Sequence, residues 1–453
     1  MSDQPTIFAL SSGRGRAGVA VIRISGPSAR LVLERMAAPC PPPRRAAFRR
    51  IVDPVSSELL DAALVLFFAG PSSETGEDIA ELQLHGSPAV VSSVLRALST
   101  LPGCRLAEPG EFARRAFLNG KIDLTAAEGL ADLIDAETDA QRRQALAQAG
   151  GAFARLCDGW RQNLLEARAL TEAAIDFSDE PDVAADALER AREMCRPLLA
   201  DLQRHLSGAH RGEIIRDGYK VVLAGAPNVG KSSLLNALAR RDVAIVSSEP
   251  GTTRDVLEVH LDLAGYAVIV ADTAGLREAT GAVEREGIRR TRERANTADL
   301  VVWVTDATAP SLPPPDLTTE ETSLVVAMNK SDLMQSGSAS TPAAASTDSA
   351  ATPIYLSALS GAGIGKLLER ITSLLQASFD GPASAVVPTQ ERHRLALHAS
   401  AEALSRYLSV ERPAAELAAE DLRLAADALG RITGRVDAEE VLGQIFGRFC
   451  IGK

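Results

Sequence analysis

One stretch constrains this chain more than any other: Gly225-Ala226-Pro227-Asn228-Val229-Gly230-Lys231-Ser232, a Gly-x-x-x-x-Gly-Lys-Ser run. An apolar run, Val221 to Ala224, precedes it, and a helical pattern from Ser233 to Leu238 follows. Strand, glycine loop and helix together make this motif a phosphate cradle. Its glycines let backbone N–H groups approach the phosphates, and the helix N-terminus favours their negative charge. The candidate contacts are Asn228, Val229, Gly230, Lys231, Ser232 and Ser233. Lys231 is placed to reach the β- and γ-phosphates, and Ser232 to ligate Mg²⁺.

Three further elements follow in order. Asp272-Thr273-Ala274-Gly275 ends the apolar strand Ala267 to Ala271. A carboxylate there can hold Mg²⁺ through water, and the glycine N–H can sense a γ-phosphate. Asn329-Lys330-Ser331-Asp332 ends the strand Leu324 to Met328. Asp332 can accept from the guanine N1–H and exocyclic amine, a pair that adenine does not offer. Ser357-Ala358-Leu359, after Ile354 to Leu356, suits a backbone contact to guanine O6. Each motif alone is weak. Their order, and their shared place at strand ends, point to GTP.

The formal net charge is −11, with a pI near 5.2. That argues against a broad, sequence-blind nucleic-acid surface but leaves room for a local RNA contact. Two basic clusters, Arg44/Arg45/Arg49/Arg50 and Arg285/Arg289/Arg290/Arg292/Arg294, read as solvated faces. The cysteines, Cys40, Cys104, Cys157, Cys195 and Cys450, are odd in number and lack a C-x-x-C pair. They fit a reducing compartment, with neither a disulfide framework nor a zinc site. No signal segment and no run long enough to span a bilayer is evident, so a cytoplasmic protein without a membrane partner is expected.

The fold class expected is α/β and α. Thr6 to about Ile122 reads as mixed α/β, with strands at Val19–Ser25, Ala63–Phe68 (buried) and Ile79–His85, then a helix from Ser87 to Leu98. Alternation puts Arg23 on one face with Val19 and Val21, and Glu81 with Gln83 and His85. Such an arginine and carboxylate suit either a small-molecule pocket or an ordinary solvated sheet face. Gly13-Arg14-Gly15-Arg16-Ala17-Gly18 matches a dinucleotide fingerprint, but a strand follows it, so it reads as a loop. Leu124 to about Arg211 is helical. It carries stripes at Leu130/Leu133/Ile134 and at Trp160/Leu164/Ala167/Leu170, with a break at Ile175–Pro181. Pro310–Pro315 and Ser336–Thr352 read as loops within the nucleotide domain. Helix resumes near Thr389. Asp437 and Glu440 resemble a capping box before the stripe Leu442/Ile445/Phe446/Phe449. The simplest organisation is residues 1–122, helical 123–215, nucleotide domain 216–379 and helical 380–453. The two helical parts then pack together, with the nucleotide domain inserted between them.

The chain resembles the tRNA uridine-modifying GTPase family MnmE (also called TrmE). The resemblance is carried by Gly18–Pro27, Thr75–Gly86, Pro109–Phe112, Arg115–Lys121, Ala173–Phe177, Gly251–Asp255 and the tail Phe449-Cys450-Ile451-Gly452-Lys453. Generic GTPases lack that tail. The resemblance implies a folate-binding N-terminal domain that forms a homodimer, and a heterotetramer with the FAD-dependent partner MnmG (GidA), through which tRNA is engaged. Together they would install a carboxymethylaminomethyl or aminomethyl group at C5 of the wobble uridine. The one-carbon unit would come from a 5,10-methylene-tetrahydrofolate species, and 5-formyl-tetrahydrofolate would occupy the same site. Arg23, Glu81, Lys121 and Lys453 match the family's folate contacts.

In the nucleotide domain, Leu276 stands where many small GTPases carry a water-orienting glutamine. Glu284 matches the family's catalytic glutamate, and Glu286 is its positional rival. Asn228 matches a K⁺ ligand, and the carbonyls of Ser247, Glu249 and Thr252 would complete that site. Thr253 would join Ser232 on Mg²⁺. Ser247-Ser248-Glu249-Pro250-Gly251 would line the nucleotide, although it departs from the family's Thr-Asp-Ile-Ala type of loop. Leu359 replaces the usual Lys or Arg. Two other readings stand beside this one: a ribosome-assembly GTPase and a pure conformational switch. The acidic helical segment after Thr389 lacks a Gly-x-x-Gly clamp, which counts against the first of these. Folate binding separates both from the modification enzyme.

Overall fold

The computed structural model of the chain describes residues 4–176, 181–245, 258–272, 297–314, 317, 322–334, 352–379, 386–409, 415–437 and 439–452. In chain order the elements are β1 (Thr6–Leu10), β2 (Ala17–Ser25), α1 (Ala29–Met36), β3 (Ala47–Val52), β4 (Leu59–Phe68), β5 (Ile79–Gly86), α2 (Pro88–Ser99), β6 (Cys104–Leu106) and α3 (Glu111–Leu118). Helices α4 (Leu124–Asp135), α5 (Asp139–Ala149), α6 (Ala152–Asp176), α7 (Pro181–Ser207) and α8 (Ala209–Asp217) follow. Then come β7 (Tyr219–Ala224), α9 (Lys231–Ala239), β8 (Glu258–Leu263), β9 (Tyr266–Asp272), β10 (Leu300–Asp306), β11 (Ser323–Asn329), β12 (Ile354–Tyr355) and α10 (Ile364–Ala377). The last helices are α11 (Glu391–Ser409), α12 (Ala415–Thr433) and α13 (Glu439–Phe446).

The chain forms two compact units. One comprises residues 1–131, 147–198 and 399–453, the other 132–146 and 199–398. In the first, the N-terminal sheet runs β3-β4-β5-β2-β1-β6. Alternation along β1 splits its side chains between two layers. Phe8 packs with Ile22, Ile24, Leu82 and the apolar faces of α1 and α2. Ile7 and Ala9 face the other way, against Phe112 of α3. β5 alternates as its sequence predicts: Ala80, Leu82 and Leu84 are buried, while Glu81, Gln83 and His85 are not. The expectation of a wholly buried strand at Ala63–Phe68 needs correction. Ala63, Val65 and Phe67 are buried, but Leu64 is exposed, because helices cover one face of the sheet at that point.

In the same unit α6 packs along α12, so helical segments on either side of the nucleotide domain do come together. The buried stripe of α6 is Cys157, Trp160, Leu164, Ala167, Thr171 and Ala174, with Leu170 only half-buried at its margin. On α4 the buried residues are Leu124 to Gly129; of the expected stripe, Leu130 packs half-buried against the Leu442/Phe446 cluster, Leu133 is half-buried and Ile134 is exposed, so it packs only in part. Leu442, Ile445, Phe446 and Phe449 are all buried against Ala113, Leu124 and Ala127. The expected capping box at Asp437–Glu440 includes Ala438, which lies outside the described residues. The φ of Asp437 is 46°, and its carboxylate accepts from Arg431.

In the second unit the sheet order is β12-β11-β10-β7-β9-β8, parallel except for β8. Its core joins Val221, Leu223, Val268, Val302 and Val304 to Leu234 and Leu238 of α9 and to Leu367, Ile371 and Leu375 of α10. A nearly continuous apolar run in β10 reflects a strand covered on both faces. The segment 132–146 also belongs to this unit. Ala140 N–H donates to Gly265 O at the β8–β9 turn, and His260 Nδ1 lies 2.9 Å from Glu137. No described helix is long and apolar enough to cross a membrane. Gly13 to Arg16 form a loop, and Ala17 and Gly18 open β2, so the stretch takes no part in a helix start.

Candidate functional site

The end of β7 delivers the glycine loop, and α9 begins at Lys231 with Gly230 as its left-handed N-cap (φ 96°). Gly225 (φ 146°) runs so close to Val304 O that a Cβ would collide with it. Asn228 also has a positive φ, 61°. These backbone angles turn the loop around one centre. Lys231 is buried, and its ammonium donates to the Gly225 and Ala226 carbonyls at 2.9 Å each. Burial lowers its pKa, opposed by the nearby Asp272 carboxylate. Ser232 Oγ donates to Asp272 Oδ2 at 2.6 Å, so the two sequence-predicted magnesium groups meet at the ends of adjacent elements.

Asn329 is buried and joins three segments. Its Nδ2 donates to Val229 O at 2.8 Å, and its Oδ1 accepts from Ala358 N–H at 2.9 Å. Ser331 N–H donates to Leu356 O. The phosphate loop, the Asn329–Asp332 turn and the Ser357–Leu359 loop are therefore one connected surface. Asp332 and Leu359 are exposed on it, and Ser357 is buried below. Lys330 (φ 61°) donates from Nζ to Asp306 Oδ2 at 2.7 Å. That bond, followed by bonds from Thr308, pulls the Asp306 pKa down to about 2. Asp306 was not singled out from sequence, although its place at the C-terminal end of β10 was a usable signal.

In the N-terminal sheet, Ala9, Arg23 and Glu81 lie side by side across β1, β2 and β5. Arg23 Nε donates to Glu81 Oε1 at 3.1 Å, and the guanidinium sits 5.9 Å from the centre of the Phe112 ring. A second carboxylate, Glu74, lies 2.9 Å from Arg23 Nη1. Lys121 is exposed, and its Cε lies against Gly76. Beneath these residues Arg115 is buried between Glu77 (3.0 Å) and Glu111 (2.9 Å). Burial works against the Glu111 carboxylate, but bonds from Arg105, the Glu108 N–H and Arg115 hold its pKa below the usual glutamate value. The C-terminal tail reaches this domain too. Ile451 bridges to Pro109, and Ser11 Oγ donates to Gly452 O at 2.8 Å.

Several predicted residues lie outside the described ones: Ser247, Ser248, Glu249, Pro250, Gly251, Thr252, Thr253, Thr273, Ala274, Gly275, Leu276, Glu284, Glu286 and Lys453, with the Arg285–Arg294 cluster and most of Ser336–Thr352. Those that are described fall into two groups, one in each unit: the nucleotide cradle, and the Arg23, Glu81 and Lys121 set.

Comparison with known proteins gives the same two-part picture. The description "MnmE helical domain" matches residues 124–450, and "GTP-binding protein TrmE N-terminus" matches residues 6–121. A tRNA modification GTPase MnmE of Beijerinckia indica is 49% identical over 99% of this chain and 96% of its own length. The proteins of that name from Chelativorans sp. and Azorhizobium caulinodans are 50% and 51% identical. Each alignment covers 99% of this chain, with 98% and 99% of the relative. With a P-loop domain inserted between helical segments behind an N-terminal TrmE domain, and with near-half identity over almost all its residues, the chain belongs to the MnmE family of tRNA modification GTPases.

Proposed function

We propose that the chain hydrolyses GTP on the Gly225–Ser232 loop in the service of wobble-uridine modification. With the FAD-dependent partner MnmG it would add a carboxymethylaminomethyl or aminomethyl group at C5. The observation that carries the nucleotide reading is the shared surface built by Asn329, which fixes the phosphate loop against the base loop. On it, Asp332 would accept from the guanine N1–H and amine, and the Ser357–Leu359 loop would supply a backbone contact to O6, the Ala358 N–H being held by Asn329 Oδ1. Lys231 passes its ammonium from two loop carbonyls to phosphate oxygens.

Magnesium fits the Ser232 and Asp272 oxygens, because this small hard ion takes one or two protein oxygens and fills its shell with phosphate and water. When bound it would neutralise phosphate charge. Among the described residues no group of three or more His, Cys, Asp or Glu side chains is placed to hold a metal, and an ion bound this way needs none. Ser232 and Thr253 are the proposed protein ligands of Mg²⁺. Asn228, Ser247, Glu249 and Thr252 are those of K⁺.

Potassium is expected to stimulate hydrolysis without a protein activator, since Leu276 cannot orient water and Asn228 lies in the strained loop. Turnover in KCl and NaCl at equal ionic strength tests this, and equal rates refute it. Asn228→Ala should lose the potassium effect while keeping much of its GTP affinity. Glu284→Ala is expected to bind GTP normally and lose about 10²–10⁴-fold in turnover, the usual contribution of a water-positioning or acid–base group. A normal rate in Glu284→Ala beside a crippled Glu286→Ala moves the assignment to Glu286.

The N-terminal unit is proposed to hold the tetrahydrofolate derivative. Support comes from the in-register Arg23 and Glu81 pair, Lys121 beside the same loop, and the docked tail that leads to Lys453. Residues 1–122, 123–215, 216–379 and 380–453 are the proposed functional divisions. Homodimerisation through the first, a heterotetramer with MnmG, and GTP-driven association and release of the nucleotide domains complete the reading. Mass spectrometry of wobble nucleosides after deletion of the gene tests the whole. Unaltered uridine-34 chemistry in the deletion strain would refute it.

A further inference from the structure

The loop between β4 and β5 has a fixed course on both sides of Glu74. Thr75 is fully buried. Its Oγ1 lies 2.7 Å from Ser25 Oγ, and its carbonyl accepts from Asn119 Nδ2 at 2.7 Å. The Glu77 carboxylate accepts from Ser25 Oγ at 2.8 Å and from Arg115 at 3.0 Å. On the other side Ser73 Oγ donates to Glu77 O. Gly76 has a φ of 80°, and a Cβ there would lie 2.9 Å from Asn119 Cβ and 3.3 Å from Lys121 Cε. The pinned backbone thus aims one side chain, Glu74, at Arg23.

The two carboxylates on Arg23 differ in kind. Glu81 is opposite Arg23 in the sheet register and only 17% exposed. It meets Nε and holds the guanidinium in place. Glu74 is 54% exposed and meets Nη1 from the rim. An exposed ion pair of this sort is weak and easily exchanged, whereas a half-buried in-register pair is retained.

We propose that Glu74 is an electrostatic gate on the Arg23 site: its carboxylate occupies Arg23 Nη1 until the carboxylate of an anionic ligand displaces it into solvent. The proposal rests on reading Arg23 and Lys121 as the folate site, and it adds a residue that selects for ligands carrying a carboxylate able to compete. An uncharged pterin fragment cannot compete for Nη1 and leaves Glu74 in place. A glutamate-bearing folate exchanges one carboxylate for another.

Calorimetric titration with 5-formyl-tetrahydrofolate, at low and high salt, tests the gate. Glu74→Gln and Glu74→Ala are each expected to bind about two- to fivefold more tightly than the wild type at low salt, the scale of one exposed ion pair. Agreement between the two variants separates charge from bulk. The salt response is the second readout. In the wild type one ion pair replaces another, so affinity depends weakly on salt. In the variants a pair forms without one being lost, so affinity falls more steeply as screening increases. Glu81→Gln should weaken binding, because it releases Arg23 from its register. Binding by the wild type with no gain and no steeper salt slope in either Glu74 variant overturns the gate alone. Absence of binding in every form overturns the folate reading, and the gate with it.

Discussion

Gly230→Ala is expected to reduce GTP affinity about a thousandfold while leaving the fold of both units intact. Gly230 has a φ of 96°, and an added Cβ would enter the van der Waals sphere of Asn329 Nδ2. Holding an L-residue in the left-handed region costs ~1–2 kcal/mol. Displacing Asn329 breaks its bonds to Val229 O and Ala358 N–H inside a buried site, at ~1–3 kcal/mol for groups left unsatisfied. The loop can relax away from this strain, but it must be restored to bind phosphate. A combined cost of about 4 kcal/mol corresponds to roughly three decades in affinity. Titration of a fluorescent GTP analogue, with a thermal melt as control, measures it. An affinity within a few-fold of the wild type would show that the close Gly230–Asn329 approach is not required.

Deleting Cys450 to Lys453 is expected to leave GTP hydrolysis nearly unchanged, weaken folate binding and abolish tRNA modification. The buried stripe of α13 and Phe449 fixes where the tail starts. The tail then runs against the N-terminal domain, with Ile451 on Pro109 and Gly452 O on Ser11. Gly452 (φ 103°) is buried where a Cβ would strike Leu10 O, so only glycine fits this course. Chain ends without partners usually fray; this one is held through Gly452 against the domain that carries Arg23 and Lys121, and Lys453 is the next residue in sequence. Calorimetry with 5-formyl-tetrahydrofolate beside a GTPase assay decides. Unchanged folate affinity in the truncated protein removes the tail from the site.

What could be read directly from the residues followed from strong local signals. The glycine loop, with apolar strand before and helix after, specified the cradle. Alternation in Ile79–His85 specified which side chains of β5 face away from the core, and the 3.6-residue stripe after Asp437 specified the buried face of α13. Weaker patterns failed for identifiable reasons. Ala63–Phe68 is apolar throughout, and periodicity alone cannot say that one face of the sheet lacks a helical cover near Leu64. Leu130, Leu133 and Ile134 look like a stripe, but the small residues Ala126, Ala127 and Gly129 allow the closer approach: Gly129 packs directly against the backbone of Ala149. That the segment 132–146 attaches to the second unit was not legible, because hydrogen bonds that no periodicity reveals tie it there: Ala140 to Gly265, Gln141 to Arg216 O and Gln144 to Gly212 O. Asp306 and Glu74 were missed because each acts through a distant lysine or arginine that only the fold brings near.

Asn329 has a thermodynamic implication for how a nucleotide is held. One buried side chain bonds both the loop that faces phosphate and the loop that faces the base, so the two ends of the ligand are not recognised independently. Ordering either loop lowers the conformational cost of ordering the other, and linkage requires that help to be reciprocal. Guanosine alone, or pyrophosphate alone, must meet most of that ordering cost without the partner fragment. Their affinities therefore multiply to less than that of the intact nucleotide, by the advantage of covalent linkage and by a further cooperativity that Asn329 supplies through a single amide.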